Sequence, residues 1–357
     1  MHLRLFPILI LLLHSFTAIS QPSVCFGKVA GEKRSFLYPQ QQLDTALLLG
    51  DYSAFFIGEA QAPSLIPSFR TKFIIHLNET YGIRDVFLEA GYATAWMLNQ
   101  FLLTGDRSEF LPEGDIYSEW KQLYDYNQSI PRHKRLIIHG LDFERRNVFR
   151  VLLLLRPQQR KTPPELEPFF ASLKDATSDT TLKMFSKAFA SKWRSVRQYF
   201  TEHEESLAAY YGEAMETLRP IIRNDATQSP NVVRRNNIMA NNLIRTLNER
   251  KIDKFVAVFG GAHTQFSTRS AIPNQIKQLP LFRDKTLSVA LLLHNVDPAY
   301  NGTPWPYLGI AGNEDNPALF RRFVPADCRA VAVQSRYTGE KNLQKNCDWV
   351  WMADEAD

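Results

Sequence analysis

Short apolar runs alternate with longer stretches of helical periodicity along the chain. Residues 53–57 (SAFFI) are an apolar run that enters Gly58 and Glu59. Residues 64–81 then carry Leu65, Phe69, Phe73, Ile74 and Leu77 at the spacing of one helix face, and Gly82 closes them as a left-handed cap. The pattern recurs as a strand at 85–88 ending at Glu89, a helix at 93–103 stopped by Gly105, a helix at 117–127, and a strand at 135–139 ending in Gly140-Leu141-Asp142. Parallel strands need a crossover of a dozen or more residues, usually helical, so this alternation predicts a parallel sheet with covering helices.

From 144 to 250 no strand pattern appears, only helical runs interrupted by Pro157, Pro163, Pro164, Pro220 and Pro230. The block reads as a large helical insertion, a cap subdomain at about 144–250. The sheet resumes at 254–259, which runs into Gly260-Gly261-Ala262-His263, and again at 287–293. After Pro298 the chain is rich in Gly, Pro and Asn, so it is expected to wrap the body as loops apart from a short strand at 330–333. The expected fold class is α/β, a mostly parallel sheet with covering helices and a large helical insertion, forming one domain over 21–357.

Composition narrows the function classes. With 45% apolar, 12% aromatic and 22% charged residues the chain is a folded globular protein, not a disordered or low-complexity one. A formal charge of +5 over 357 residues is mild, and no block of Lys and Arg forms a phosphate-tracking stripe, so nucleic acid is not an expected partner. Residues 1–20 place Arg4 before the apolar stretch 5–13 and end in Ala18-Ile19-Ser20, the layout of a signal peptide cut before Gln21. That stretch is shorter than the about 20 residues a bilayer span requires, and no later segment is longer. The reading is an exported protein, periplasmic or secreted, without stable membrane insertion. Pro22, Ser23 and Val24 precede Cys25, which argues against a lipid anchor. Of the three cysteines, Cys328 and Cys347 bracket a polar loop and are expected to pair in an oxidising compartment. Asn78, Asn127 and Asn301 open N-x-S/T sequons, a number that chance supplies in a chain of this length.

Candidate chemistry sits at strand ends. Glu59, Glu89, Asp142 and His263 each follow a strand, and in open parallel sheets the ligand crevice lies outside the carboxyl ends of the strands. Glu59 and Glu89 are one strand-helix-strand unit apart, which predicts neighbouring strands and coupled carboxyls, one of them raised in pKa. Glu89 follows Val86-Phe87-Leu88, so desolvation is expected to raise its carboxyl, with little effect of Glu89→Gln on stability. Each residue also has a structural reading: a strand-end Glu pairs with an Arg or caps a helix, and Asp142 caps a helix near 144. The glycines before His263 allow a close backbone approach there. GxGxxG, GxxxxGK[ST] and GxSxG are absent, which argues against a nucleotide site and a Ser-nucleophile hydrolase.

These residues resemble a known family. Gly58-Glu59-Ala60, Phe87-Leu88-Glu89-Ala90, Asn99 to Gly105, Trp120 with 124–127, Ile138 to Asp142, Arg235 to Asn242 and Gly260 to His263 are similar, in the same order, to motifs of the erythromycin esterases. The resemblance implies a metal-independent esterase in which His and Glu side chains activate water against an ester or lactone carbonyl. Glu59, Glu89 and His263 match family positions, while family histidines fall on Ala62 and Gly260. The wider fold is similar to haem-uptake and Tiki-type proteins, which implies the alternative of a carboxylate-rich metal site.

The expectation is an exported esterase-like hydrolase acting on an ester or lactone, which the resemblance connects with antibiotics. Glu89 and His263 take acid/base roles, Glu59 orients one of them or the water, and Asp142 and His139 contact substrate. A small-molecule ligand is expected, with no cofactor and no tight metal, since zinc recruits three or more ligands in fixed geometry. The alternative is a catalytically silent ligand- or metal-binding protein, which a gap at Ala62 lined only by apolar groups would favour over one filled by His139.

Overall fold

A computed structural model describes residues 23–25, 49–59, 65–111, 117–183, 186–224, 231–264, 266, 269–294, 330–334 and 347–354. Its strands are β1 (Ser23–Cys25), β2 (Ala54–Glu59), β3 (Asp85–Leu88), β4 (Ile137–Gly140), β5 (Phe255–Gly260), β6 (Thr286–His294), β7 (Ala330–Gln334) and β8 (Trp349–Asp354). They form one sheet in the order β1-β7-β8-β6-β2-β5-β3-β4. All pairings from β8 to β4 are parallel, and β7 runs antiparallel to β1 and β8. The α/β class with a mostly parallel sheet is therefore the observed one.

Both faces of the central strands are buried, with strict alternation. Phe55 and Ile57 of β2 and Val256 and Val258 of β5 pack with α1 (Leu65–Tyr81), α2 (Tyr92–Thr104) and α4 (Tyr117–Ser129) through Phe73, Leu77, Leu98, Phe101, Trp120 and Leu123. Between α2 and α4 lies the single turn α3 (Arg107–Phe110). The intervening strand residues Phe56, Phe255, Ala257 and Phe259 turn to the other face, as the two-residue pleat requires. The helix ends follow the glycines: Gly82 and Gly105 have φ of 70° and 74°, and the Gly105 N–H closes α2 on the Phe101 carbonyl.

The helical block contains α5 (Asn147–Leu154), α6 (Glu167–Ser178), α7 (Lys187–Glu202), α8 (Glu204–Tyr211), α9 (Met215–Arg223) and α10 (Val232–Arg250). Helices α5 to α9 enclose a core of their own around Phe149, Phe170, Trp193 and Leu218, joined by Ala93 and Met97 of α2. In contrast α10 lies on the sheet: Met239, Leu243 and Leu247 pack with Phe56 and Phe255, together with Ile272 and Ile276 of α12 (Ile272–Ile276). The one-turn α11 (Gly261–Thr264) links β5 to this layer.

The edge strand β4 has its open side satisfied by side chains. Asn99 of α2 accepts from the Ile138 N–H and donates to the Ile138 carbonyl. Asn127 of α4 does the same for Leu136. Asn127 is buried, and Asn78 is buried with its amide bonded to the Ile83 and Lys134 carbonyls, so both sequons are structural positions.

Two expectations are corrected. β5 lies between β2 and β3, so Glu59 and Glu89 are not on neighbouring strands: the chain runs out to the edge at β4 and α10 carries it back to the centre. The strand expected at 330–333 forms as β7, but the rest of the tail is not all loops, because β8 extends the sheet by pairing in parallel with β6. Cys328 of the expected disulfide lies outside the described residues.

Candidate functional site

Parallel register sets the strand ends side by side. Glu59, the last residue of β2, is opposite Gly260, the last of β5. The Glu89 N–H, one residue beyond β3, donates to the Val258 carbonyl of β5. The Glu89 side chain then curls over the end of β5, where its Oε2 accepts the Gly260 N–H at 2.8 Å. A Cβ at position 260 would sit 3.2 Å from that oxygen, so glycine there keeps the approach open.

Two arginines divide the carboxylates between them. Arg235 of α10 donates from Nη2 to Glu89 Oε1 at 2.6 Å and to Asp142 Oδ2 at 2.5 Å. Arg70 of α1 donates from Nη1 to Glu59 Oε2 at 2.6 Å, while its Nε and Nη2 clasp both oxygens of Glu119 at 2.6 and 2.5 Å. His263, held by α11, turns Nε2 to within 3.5 Å of Glu89 Oε1 and Nδ1 to 2.5 Å from Asn236 Oδ1. Asp142 and His263 are almost wholly enclosed, whereas Glu89 keeps 21% of its side-chain surface and Glu59 14%. Of the four, Glu89 thus faces the cluster's opening to solvent most fully.

The environments split the two carboxyls. Burial drives Glu59 up to about 7, against the Arg70 guanidinium, and the charges of Glu119 and Glu89 add to the rise. Arg70 cannot hold Glu59 down because Glu119 already takes its bidentate edge. At Glu89 burial also raises the carboxyl, but the contact and charge of His263, the charge of Arg235 and the Gly260 N–H outweigh it and hold it at about 2. This corrects the expectation that desolvation raises Glu89: a charged arginine, an imidazole and a backbone donor reach it, and none of these is visible from its apolar neighbours in sequence. Asp142 lies above the usual carboxylate range because of burial, opposed by Arg235.

The expected residues do not all meet. Glu59, Glu89, Asp142 and His263 share the carboxyl ends of the strands. His139 does not join them, because its register partner is Phe87. The imidazole stacks on that ring at 4.6 Å and its Nε2 lies 2.7 Å from Asp85 Oδ1 at the start of β3. Ala62 lies outside the described residues. Nor does Asp142 cap the helix that follows it: its carboxylate goes to Arg235, and α5 begins only at Asn147, after Arg146. The N–H groups of Tyr92 and Ala93 at the start of α2 are bonded by Glu144. Asn224 donates to Glu144 Oε1 and to the Asp142 carbonyl, tying the helical block to the sheet. Burial pushes Glu144 up to about 7 despite these donors.

Sequence reasoning assigned no role to Arg70, Glu119, Asn236 or Glu144. Arg235 and Asn236 stood within a recognised stretch, but nothing in it shows that one side chain reaches two carboxylates 146 and 93 residues away. Among the described residues, no three or more His, Cys, Asp or Glu side chains are grouped as a metal ion needs.

No protein-family model and no curated protein matches this sequence. Solved structures do share its fold. A succinoglycan biosynthesis protein superposes with a TM-score of 0.59 at 14% identity, over 94% of each chain. A Bacillus cereus protein does so at 0.54 and 14%, covering 88% of this chain and 91% of the other. The erythromycin esterase EreC, in an open conformation, gives 0.53 and 15%, covering 88% and 94%. At such identities the likeness establishes the fold: an α/β architecture that an erythromycin esterase also adopts. Among the described residues no helix is long and apolar enough to cross a membrane.

Proposed function

We propose that this protein hydrolyses an ester or lactone in a small molecule, with His263 as the base, Glu89 as its fixed anion and Glu59 as the proton donor. The observation that carries the proposal is the opposite tuning of the two strand-end glutamates, about 7 for Glu59 and about 2 for Glu89. Carboxyls pushed apart in this way are suited to separate acid and base-supporting roles. His263 Nε2 takes a proton from water, whose oxygen attacks the carbonyl carbon, and the ionised Glu89 stabilises the imidazolium so formed. Glu59 Oε1, buried and without a hydrogen-bond partner among the described residues, carries the proton that meets the carbonyl oxygen as it gains charge. Collapse of the adduct returns the proton from that oxygen to Glu59 as the C=O re-forms and breaks the C–O bond to the alcohol, the leaving alkoxide takes the proton from His263, and an acid and an alcohol result. The fold shared with an erythromycin esterase supports the reaction class. Glu89 thereby exchanges its expected acid/base role for an electrostatic one, and Glu59 takes that role instead.

A panel of esters and lactones tests this. His263→Gln is expected to lose about 10²- to 10⁴-fold in kcat. For the wild type, kcat/KM should fall as pH rises through 7, when Glu59 loses its proton, and Glu59→Gln should remove that limb. No turnover across the panel, or an alkaline limb that survives in Glu59→Gln, would turn the reading to a ligand-binding protein of the same fold.

A further inference from the structure

α10 places two consecutive residues in the crevice, and only the first acts on a carboxylate. Arg235 bridges Glu89 and Asp142, while Asn236 is wholly enclosed and sets its Oδ1 2.5 Å from His263 Nδ1. An amide oxygen can only accept, so in this arrangement the proton of a neutral ring sits on Nδ1. Nε2 is left with the lone pair, and it lies 3.5 Å from Glu89 Oε1. In the neutral ring that lone pair cannot bond the carboxylate oxygen; the contact that holds Glu89 low belongs to the protonated ring, whose Nε2–H and charge face it. With the ring neutral, both are acceptors turned toward one place, which a water or substrate hydroxyl would occupy by donating to them.

We infer that Asn236 is the positioning residue of His263, holding the Nδ1–H tautomer so that Nε2 is the nitrogen that receives the proton. Two features support it, and a third is its cost. Asn236 is on the helix that carries Arg235, so the ring and the carboxylate it faces are aligned by one rigid element. The amide is uncharged, so it orients the ring without adding a third anion beside Glu89 and Asp142. Its own Nδ2 is buried with no partner among the described residues. That group remains unsatisfied when the oxygen is turned to the ring, a penalty that the Nδ1 contact must offset. A histidine base held by a third group in this way is the general layout of an activated water or nucleophile.

The catalytic consequence rests on the hydrolase reading, but the tautomer does not, so the experiment reads both. In protein labelled with ¹⁵N-histidine, long-range proton–nitrogen spectra distinguish protonated from unprotonated ring nitrogens, and His263→Gln identifies the signals by difference. The wild type is expected to show the Nδ1–H form of His263. Asn236→Leu should shift the ring toward Nε2–H and lower kcat by about 10- to 100-fold while KM moves little, and Asn236→Asp, which keeps an acceptor, should restore the Nδ1–H form. An Nε2–H form in the wild type overturns the inference, as does a Leu variant with unchanged tautomer and kcat. Should the Leu variant not fold, the wild-type spectrum decides alone. If no ester is turned over, the hydrolase reading fails while the spectrum still decides the role of Asn236.

Discussion

At the residue scale, Glu59 and Glu89 end adjacent parts of the same crevice, yet one carboxyl is held near 7 and the other near 2. The difference comes from how each arginine is shared. Arg70 gives its bidentate edge to Glu119, whereas Arg235 meets Glu89 beside an imidazole and the Gly260 N–H. Glu89→Gln is therefore expected to cost stability, not to leave it unchanged. The amide presents at least one N–H where Arg235 and Gly260 both need an acceptor, and losing a charge-assisted bond in a largely enclosed site costs about 1.5–3 kcal/mol. Denaturant unfolding at pH 7 should show this loss, and hydrolysis should disappear with it. A Glu89→Gln protein as stable as the wild type would mean that the Arg235 contact does not form in solution.

At the element scale, the site depends on how closely the chain passes over the end of β4. A Cβ added to Gly140 would lie 2.2 Å from the Gly91 carbonyl oxygen and 2.7 Å from that of Ala90. Both are backbone atoms, and Ala90 also accepts the Leu141 and Asp142 N–H groups at 2.7 and 2.9 Å. No side-chain rotation can relieve that contact. Gly140→Ala is expected to destabilise by about 3 kcal/mol, at the upper end of overpacking effects, and to displace Asp142 from Arg235. Thermal unfolding measures the first effect. A variant that unfolds like the wild type would place the two loops further apart than described.

At the scale of the whole molecule, the buried carboxyls set the pH dependence of folding. Glu59 and Glu144 titrate at about 7 when folded but from an ordinary value of 4.5 when not. The folded chain holds more protons between those values, so the stability they contribute is full below about pH 4.5 and is lost as pH rises through 7. Glu89, at about 2, acts in the opposite direction. Its contribution is present above 4.5 and is lost as pH falls toward 2. The melting temperature is thus expected to decline from pH 5 to pH 8, with each raised group accounting for about 1.4 kcal/mol per pH unit inside its window. Glu144→Gln removes a titrating group and leaves one acceptor oxygen for the two α2 N–H groups, so it should lower the whole curve somewhat and roughly halve the decline. A melting temperature that stays level over this range in the wild type would contradict the burial of both carboxyls.

The alternation of apolar runs and helical faces was enough to place β2 to β6 within one to two residues, and Gly82 and Gly105 marked their helix ends, because pleat, helix period and left-handed caps are local properties of the chain. The same pattern located four chemically able residues at strand ends. Strand order was not local: β5 enters between β2 and β3 only because α10 buries Met239, Leu243 and Leu247 against the sheet. The run at 330–333 marked β7, but β8 was likewise hidden, since a tail rich in turn residues gives little periodicity to read. Protonation lay further still from the sequence. The carboxyl of Glu89 depends on Arg235, His263 and Gly260, each more than 140 positions away, and Glu59 on Arg70 and Glu119. A residue type can be read from one position, whereas the charge it carries is decided by the groups that folding brings around it.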